Sequence, residues 1–367
     1  MADIRIEKLA ELIVQYSVAV KPGDKVAIMA PEVATPLVNA VYTKVLQAGG
    51  HPLVMSRSND TTELLFRYGS REQLEYIHEG QRLIAEKYDV RIVIIGEENT
   101  KSLSRIDSDK LVIYDKARTD LTDTMMRRSA AGELRWVVAP YPTNAFAQDA
   151  DMSLRDYEDF LYKACMPDIT DPIGYWRKIA AEQEHIVQWL KGKNEVHITG
   201  PETDLKLSVA GRTFINCSGQ FNLPDGEIFT GPVEDSAEGC VYFSYPAIES
   251  GREVSGIRLW FSKGKVVKAT AEKNEEFLLK TLATDPGASY LGEIAIGTNK
   301  GITQFTREIL FDEKIGGSFH LALGAGYPET GSKNKSAIHW DMVCDLRQGG
   351  KITVDGQLLY QDGQFVI

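Results

Sequence analysis

Four short apolar runs punctuate the first 142 residues, and stretches of helical spacing separate them. The runs are KVAIMA (25–30), HPLVMS (51–56), DVRIVIIG (89–96) and LRWVVAPYP (134–142). Between them, PLVNAVYTKVLQAGG has the pattern of an amphipathic helix stopped by Gly49 and Gly50. Residues 61–87 and about 116–130 are helical in pattern too. An opening helix over 5–17 carries Ile6, Leu9, Ile13 and Tyr16 at helical spacing and breaks at Lys21-Pro22-Gly23-Asp24. Strands alternating with helices at this rhythm predict a parallel sheet covered by helices, an α/β arrangement. No GxGxxG or GxxxxGKS stands at a strand-to-helix turn, so no nucleotide fingerprint is present. Two further helices, about 153–165 and 172–192, close this half.

The texture changes near Lys193-Asn194. EVHITG, DLKLSVAG, RTFINCSG, CVYFSYPAI, GIRLWFSKGKVVKATA and KITVDGQLLYQDGQFVI are strand-like, with Gly, Asn and Asp at the turns. Asp355-Gly356 and Asp362-Gly363 are hairpin signals, and a helix at about 273–284 interrupts the strands. The expectation is an N-terminal α/β domain over 1–192 and a mostly β, α+β domain over 193–367. A chain of 367 residues is long enough for two cores.

Composition narrows the function classes. A net charge of −11 argues against nucleic acid or an anionic membrane as the main partner. No run approaches the ~20 apolar residues of a membrane span, and MADIRIEKLAEL lacks the layout of a signal peptide. Cys165, Cys217, Cys240 and Cys344 are scattered without a CxxC pair, which fits free thiols in a reducing cytoplasm.

Chemistry concentrates in the second half. His320 and His339 lie inside apolar runs, SFHLAL and AIHWDM, where an unpaired imidazole is costly to bury. Asp341 follows His339 by two residues, so both side chains share one face of a strand. Glu293 precedes the apolar run of GEIAIG, and Glu227 leaves a Pro-Asp-Gly turn at a strand start. Each alone is an ordinary solvated carboxylate or core histidine, and Tyr327 alone is a loop tyrosine. Together, on neighbouring strand ends, the carboxylates and imidazoles offer the mixed N/O set of a Zn, Co or Mn site. Other schemes fit less well. There is no GxSxG elbow and no HExxH, and Cys344 falls five residues past His339, on the opposite strand face. Glu234, Asp235, Asp312 and Glu313 are further acidic candidates with surface charge as the simpler reading.

The same segments carry a resemblance. GEIFTGPVEDSAEG, GEIAIGTN, HLALGAGYPETG and IHWDMVCDLR resemble the motifs of the M29 aminopeptidases, bacterial metallopeptidases of the aminopeptidase T, aminopeptidase S and leucyl aminopeptidase types. The resemblance runs the length of the chain, with its motifs clustered after residue 220. It implies two divalent metal ions (Zn, Co, Mn or Mg) held by Glu227, Glu293, His320, Tyr327, His339 and Asp341. Glu227 and Glu293 combine ligand and possible base roles. It further implies a homodimer that releases N-terminal residues, apolar ones such as Leu included, from short peptides. The segment between Tyr327 and His339 is short for the family. A mononuclear ferrous dioxygenase that cleaves dihydroxypyridine rings resembles this family as well, and Glu293, His339 and Asp341 could supply its site. That alternative leaves Glu227, His320 and Tyr327 without a task. A non-catalytic binding protein is the third reading, and the intact ligand set argues against it.

Overall fold

A computed structural model describes residues 3–249 and 251–367. It forms two compact units, Met1–Tyr175 with Gly219–Pro224, and Trp176–Ser218 with Asp225–Ile367. The units part inside a helix rather than at 192/193. That helix, Pro172–Leu190, sends Ile186 and Leu190 into the apolar core of the second unit, so most of it belongs with the β half. No helix among the described residues is long and apolar enough to cross a membrane.

In the first unit, helix α1 (Ile4–Leu12) precedes strand β1 (Lys25–Pro31). Then come α2 (Thr35–Gln47), β2 (His51–Arg57), α3 (Asn59–Tyr68), α4 (Arg71–Glu75), α5 (Glu79–Lys87) and β3 (Val90–Ile95). The unit continues with α6 (Ser108–Ala130), β4 (Arg135–Pro140), α7 (Asn144–Asp149) and α8 (Leu154–Cys165), and α9 (Pro172–Leu190) follows. The four strands form the expected parallel sheet, in the order β2-β1-β3-β4. Val26, Ile28, Ile92 and Ile94 are buried on one face of its inner strands, and Ala27 and Val93 on the other, as covering of both faces requires. The helix expected over 61–87 is three. Ser70 and Gln73 form a reciprocal capping box that starts α4 anew after Gly69, and His78 opens α5. The helix expected from about 116 begins at Ser108 instead, with the Asp107 carboxylate accepting from Asp109 N–H. Its polar surface hid the first turns from a periodicity argument.

The second unit is antiparallel. Its strands are β5 (Glu195–Gly200), β6 (Thr203–Ser208), β7 (Ile215–Cys217), β8 (Glu227–Thr230), β9 (Glu238–Tyr242), β10 (Ala247–Glu249), β11 (Arg252–Val254), β12 (Arg258–Ser262) and β13 (Lys265–Thr270). After α10 (Glu275–Leu282) come β14 (Leu291–Gly297), α11 (Ile309–Asp312), β15 (Ser318–Gly324), β16 (His339–Asp345), β17 (Lys351–Val354), β18 (Gln357–Gln361) and β19 (Gln364–Phe365). An eight-stranded sheet runs β13-β12-β9-β6-β5-β17-β18-β19, a five-stranded sheet runs β16-β15-β14-β8-β7, and β10 and β11 form a separate hairpin. Asp355 and Gly356 both take left-handed backbone, as the tight turn between β17 and β18 requires.

The period-2 alternation of the five-stranded sheet divides its labour. Ile228, Ile294, Ile296, Leu321, Leu323, Trp340 and Met342 point into one core with Val196, Ile198, Leu205, Val241, Leu259 and Ile352 of the larger sheet. The opposite face carries the polar side chains beside a small apolar cluster of Cys217, Phe229 and Ala295. Gly297, at the end of β14, lets the loop before β15 lie close on that face. A Cβ there would stand 2.3 Å from Ile315 O. Gly297→Ala is therefore expected to cost about 1–3 kcal/mol of overpacking. Gly80→Ala, in α5 with nothing within 4 Å, is expected to gain up to about 1 kcal/mol from helix propensity. Urea unfolding of the two variants beside the wild type checks both signs.

Candidate metal centre

Strand register builds the site. On the outer face of the five-stranded sheet, Cys217, Glu227 and Gly297 form one row across β7, β8 and β14. Phe229, Ala295, His320 and Val343 form the next, and Glu293, Ala322 and Asp341 the third. His339 begins β16 opposite Gly324. Glu227, His320, Glu293 and Asp341 thus each have a glycine or alanine beside them in their row, and Cys217, Phe229 and Val343 stand in the same rows.

Glu293 reaches this face through an irregularity. In a regular strand Leu291 and Glu293 would point the same way, yet Leu291 is in the apolar core. The register shifts between them, so a bulge at Gly292 turns Glu293 over. The bulge needs glycine, since a Cβ at 292 would meet Ala325 O at 2.2 Å.

The side chains converge on two positions. Around His320 Nε2 lie Glu293 Oε1 at 3.4 Å, Glu227 Oε2 at 3.6 Å and Asp341 Oδ1 at 3.8 Å. Around His339 Nε2 lie Glu293 Oε2 and Asp341 Oδ2, both at 3.5 Å. Glu293 and Asp341 therefore give one oxygen to each position. Ligands bonded to a tetrahedral cation at 2.0–2.1 Å stand about 3.3–3.5 Å from one another, close to these separations. Glu227 Oε2 and Asp341 Oδ1 are buried and accept no hydrogen bond. Buried carboxylate oxygens left without donors cost free energy, and a cation would satisfy both. The donor set fits divalent metal.

Backbone carbonyls fix the imidazoles. His320 Nδ1 lies 2.9 Å from Glu313 O and His339 Nδ1 lies 2.7 Å from Ala325 O. A carbonyl only accepts, so Nδ1 carries the proton and each Nε2 faces the cluster, the usual second-sphere arrangement of a metal-binding histidine. Burial opposes charge on His320, but the Glu293 hydrogen bond and the charges of Glu227 and Asp341 outweigh it and lift the imidazole to about 10. His339 moves the same way: Asp341 and Glu293 overcome its burial. Burial pushes the Glu227 carboxyl well up, against the pull of Lys314 and His320.

The expected residues fare differently. Glu227, Glu293, His320, His339 and Asp341 come together. They are not all at strand ends, because His320 and Glu293 lie inside fully buried strands. Tyr327 packs edge-on against the rings of His339 and Phe229, at 5.2 and 5.3 Å between centroids. Burial, then the nearby Glu293 and Asp341, raise its phenol. Glu234 pairs instead with Arg212, and Asp312 accepts from Thr306. Glu313, weighed as a surface charge, has a carboxylate oxygen within 4.8 Å of His320 and Asp341 ligand atoms.

Two contributors escaped the sequence. Lys314 is fully buried at 3.8 Å from Glu227 Oε1, although LFDEKIGG reads as a solvated turn. Gln183, in α9, donates to Cys217 O and Glu227 O and accepts from Thr298, pinning the start of β8. A glutamine amid the charges of AAEQEHIVQWL gives no signal of that task.

Known proteins resemble this chain over nearly its whole length. The chain is 28% identical to Aminopeptidase 2 of Geobacillus stearothermophilus, covering 96% of this chain and 95% of that protein. It is 26% identical to Aminopeptidase T of Thermus thermophilus over 98% and 95%, and 24% identical to Aminopeptidase PepS of Streptococcus thermophilus over the same shares. The fold matches the solved structure of AmpT from Thermus thermophilus with a TM-score of 0.87, at 24% identity and over 99% of both chains. The model of the M29 family, described as thermophilic metalloprotease, matches residues 2–365. From end to end, the chain belongs to the M29 family of thermophilic metalloproteases.

Proposed function

We propose that this metalloprotease is a two-metal aminopeptidase that releases N-terminal residues, apolar ones such as leucine included, from short peptides. The observation that carries the reading is the division of carboxylate oxygens. Glu293 and Asp341 each turn one oxygen to the His320 side and one to the His339 side, as bridging ligands do. Glu227 and His320 would complete one position, and His339 with Tyr327 the other. The names of the relatives supply the aminopeptidase class. The resemblance supports a homodimer, and the scattered free thiols support a cytoplasmic setting.

Divalent ions held by Glu227, Glu293, His320, Tyr327, His339 and Asp341 would acidify a water to near-neutral pKa and act as Lewis acids toward a peptide carbonyl and free amino group. Glu313 O and Ala325 O hold the His320 and His339 rings, so each Nε2 lone pair faces inward. The low exposure of Glu227, Glu293 and His320 keeps bulk water from the ligand atoms. A carboxylate at the cluster would take a proton from the attacking water, and Glu227, Glu293 and Glu313 all have oxygens there. The mononuclear dioxygenase alternative is set aside. The matched family is a metalloprotease, and Glu227 and His320 belong to the same cluster as Glu293.

Chelator-stripped protein is expected to hydrolyse leucyl-p-nitroanilide only once Co, Zn, Mn or Mg is returned, with about two ions per chain by metal analysis. No hydrolysis with any of these ions, together with one tightly held iron, would sink the reading. Glu293→Gln, which spoils a bridging ligand, is expected to weaken both ions and to lower kcat/KM by about 100-fold or more. His339→Ala is expected to retain the ion on the His320 side, so its metal count should approach one. Equal loss of metal in the two variants would contradict the shared-oxygen arrangement.

A further inference from the structure

Lys314 lies in the centre but is not part of the ligand set. Its side chain is fully buried, its ammonium stands 3.8 Å from Glu227 Oε1, and it hydrogen-bonds the Glu313 carboxylate. Glu227 and Glu313 stand beside the ammonium and offset the cost of burying it. Few lysines are buried so completely, and those that are need paired charges. The fold also provides for it. Gly297 leaves the clearance in which the 314–315 backbone lies, with a Cβ at 297 only 3.0 Å from Lys314 C. That same loop supplies Glu313 O to His320.

The ammonium divides the oxygens of Glu227. Oε1 faces Lys314, whereas Oε2 faces His320 Nε2 at 3.6 Å and accepts no hydrogen bond. An unrestrained carboxylate beside a divalent ion can swing to give both oxygens, filling positions that water or substrate would use. A fixed cation on one oxygen opposes that swing.

We propose that Lys314 is a positioning residue, a built-in cation of the centre that holds Glu227 to a single oxygen on the metal side and tethers Glu313 at its edge. The proposal rests on the two-metal reading. It concerns placement rather than affinity, and the two separate by sign. Removing a positive charge so close to the ligands strengthens the attraction for divalent cations, while the freed carboxylates lose their arrangement.

The test is Co²⁺ titration of metal-free protein by calorimetry, paired with leucyl-p-nitroanilide kinetics, for wild type, Lys314→Met and Lys314→Gln. Both variants are expected to bind two ions at least as tightly as wild type. Their kcat should fall about 10–100-fold, with KM within about threefold. Wild-type kcat in either variant would overturn the proposal, as would loss of Co²⁺ binding in step with activity. Failure of both variants to fold would overturn it too, by making Lys314 a determinant of the fold. A wild type that binds no pair of ions and hydrolyses nothing would instead refute the two-metal reading beneath it.

Discussion

Several ionised carboxylates cannot share a buried space unless positive charge joins them, and the second unit is built around that constraint. Glu227, Glu293, Asp341 and Glu313 stand within reach of one another, with His320, His339 and Lys314 among them. Water is largely excluded, so each charge is felt at a low effective dielectric. Protons on the imidazoles and the lysine ammonium offset part of the negative charge, and divalent ions would offset more. The cluster is tolerable because the sheet beneath it is rigid: its other face is filled with Ile, Leu, Trp and Met side chains against a second sheet.

That backing explains the distribution of small residues. Gly297, Ala295, Ala322 and Gly324 stand across the register from the polar side chains. A Cβ at Gly297 would strike the 314–315 backbone and one at Gly324 the backbone of Ile338, so a side chain at either would displace the segments that carry Lys314 and His339. The backbone is as specific as the side chains, since two carbonyls set the histidine tautomers and the glutamine of α9 ties down the first residue of β8.

Much of this was legible from the residues in order. The parallel sheet followed from apolar runs spaced by helices, and the antiparallel half from short strands with Asp-Gly turns. His320, His339 and Asp341 stood out because charge inside an apolar run demands a partner. What stayed hidden depended on tertiary placement. The breaks at Ser70 and His78 are local capping events within one long periodic stretch. The division point moved into α9 because the last turns of that helix are apolar toward the β core. Lys314 looked solvated, because nothing in LFDEKIGG shows that a glycine seventeen residues earlier lets this loop settle onto the sheet. The grouping of the acids and histidines was seen, and the pairing of their individual oxygens was not, since that depends on register.

The bulge at Gly292 works as a frame marker between two alternating codes. Before it, Leu291 belongs to the apolar set; after it, Glu293, Ala295 and Gly297 belong to the polar face and Ile294 and Ile296 to the core. A strand carries one parity of side chains, and a single extra residue inverts it for everything downstream. The chemistry of this sheet therefore hangs on a count as much as on identities. Every residue of β14 could be kept, and a regular strand in place of the bulge would deliver a carboxylate into the hydrocarbon core and an isoleucine to the polar face. Drift in β14 is thus constrained in length more tightly than in composition.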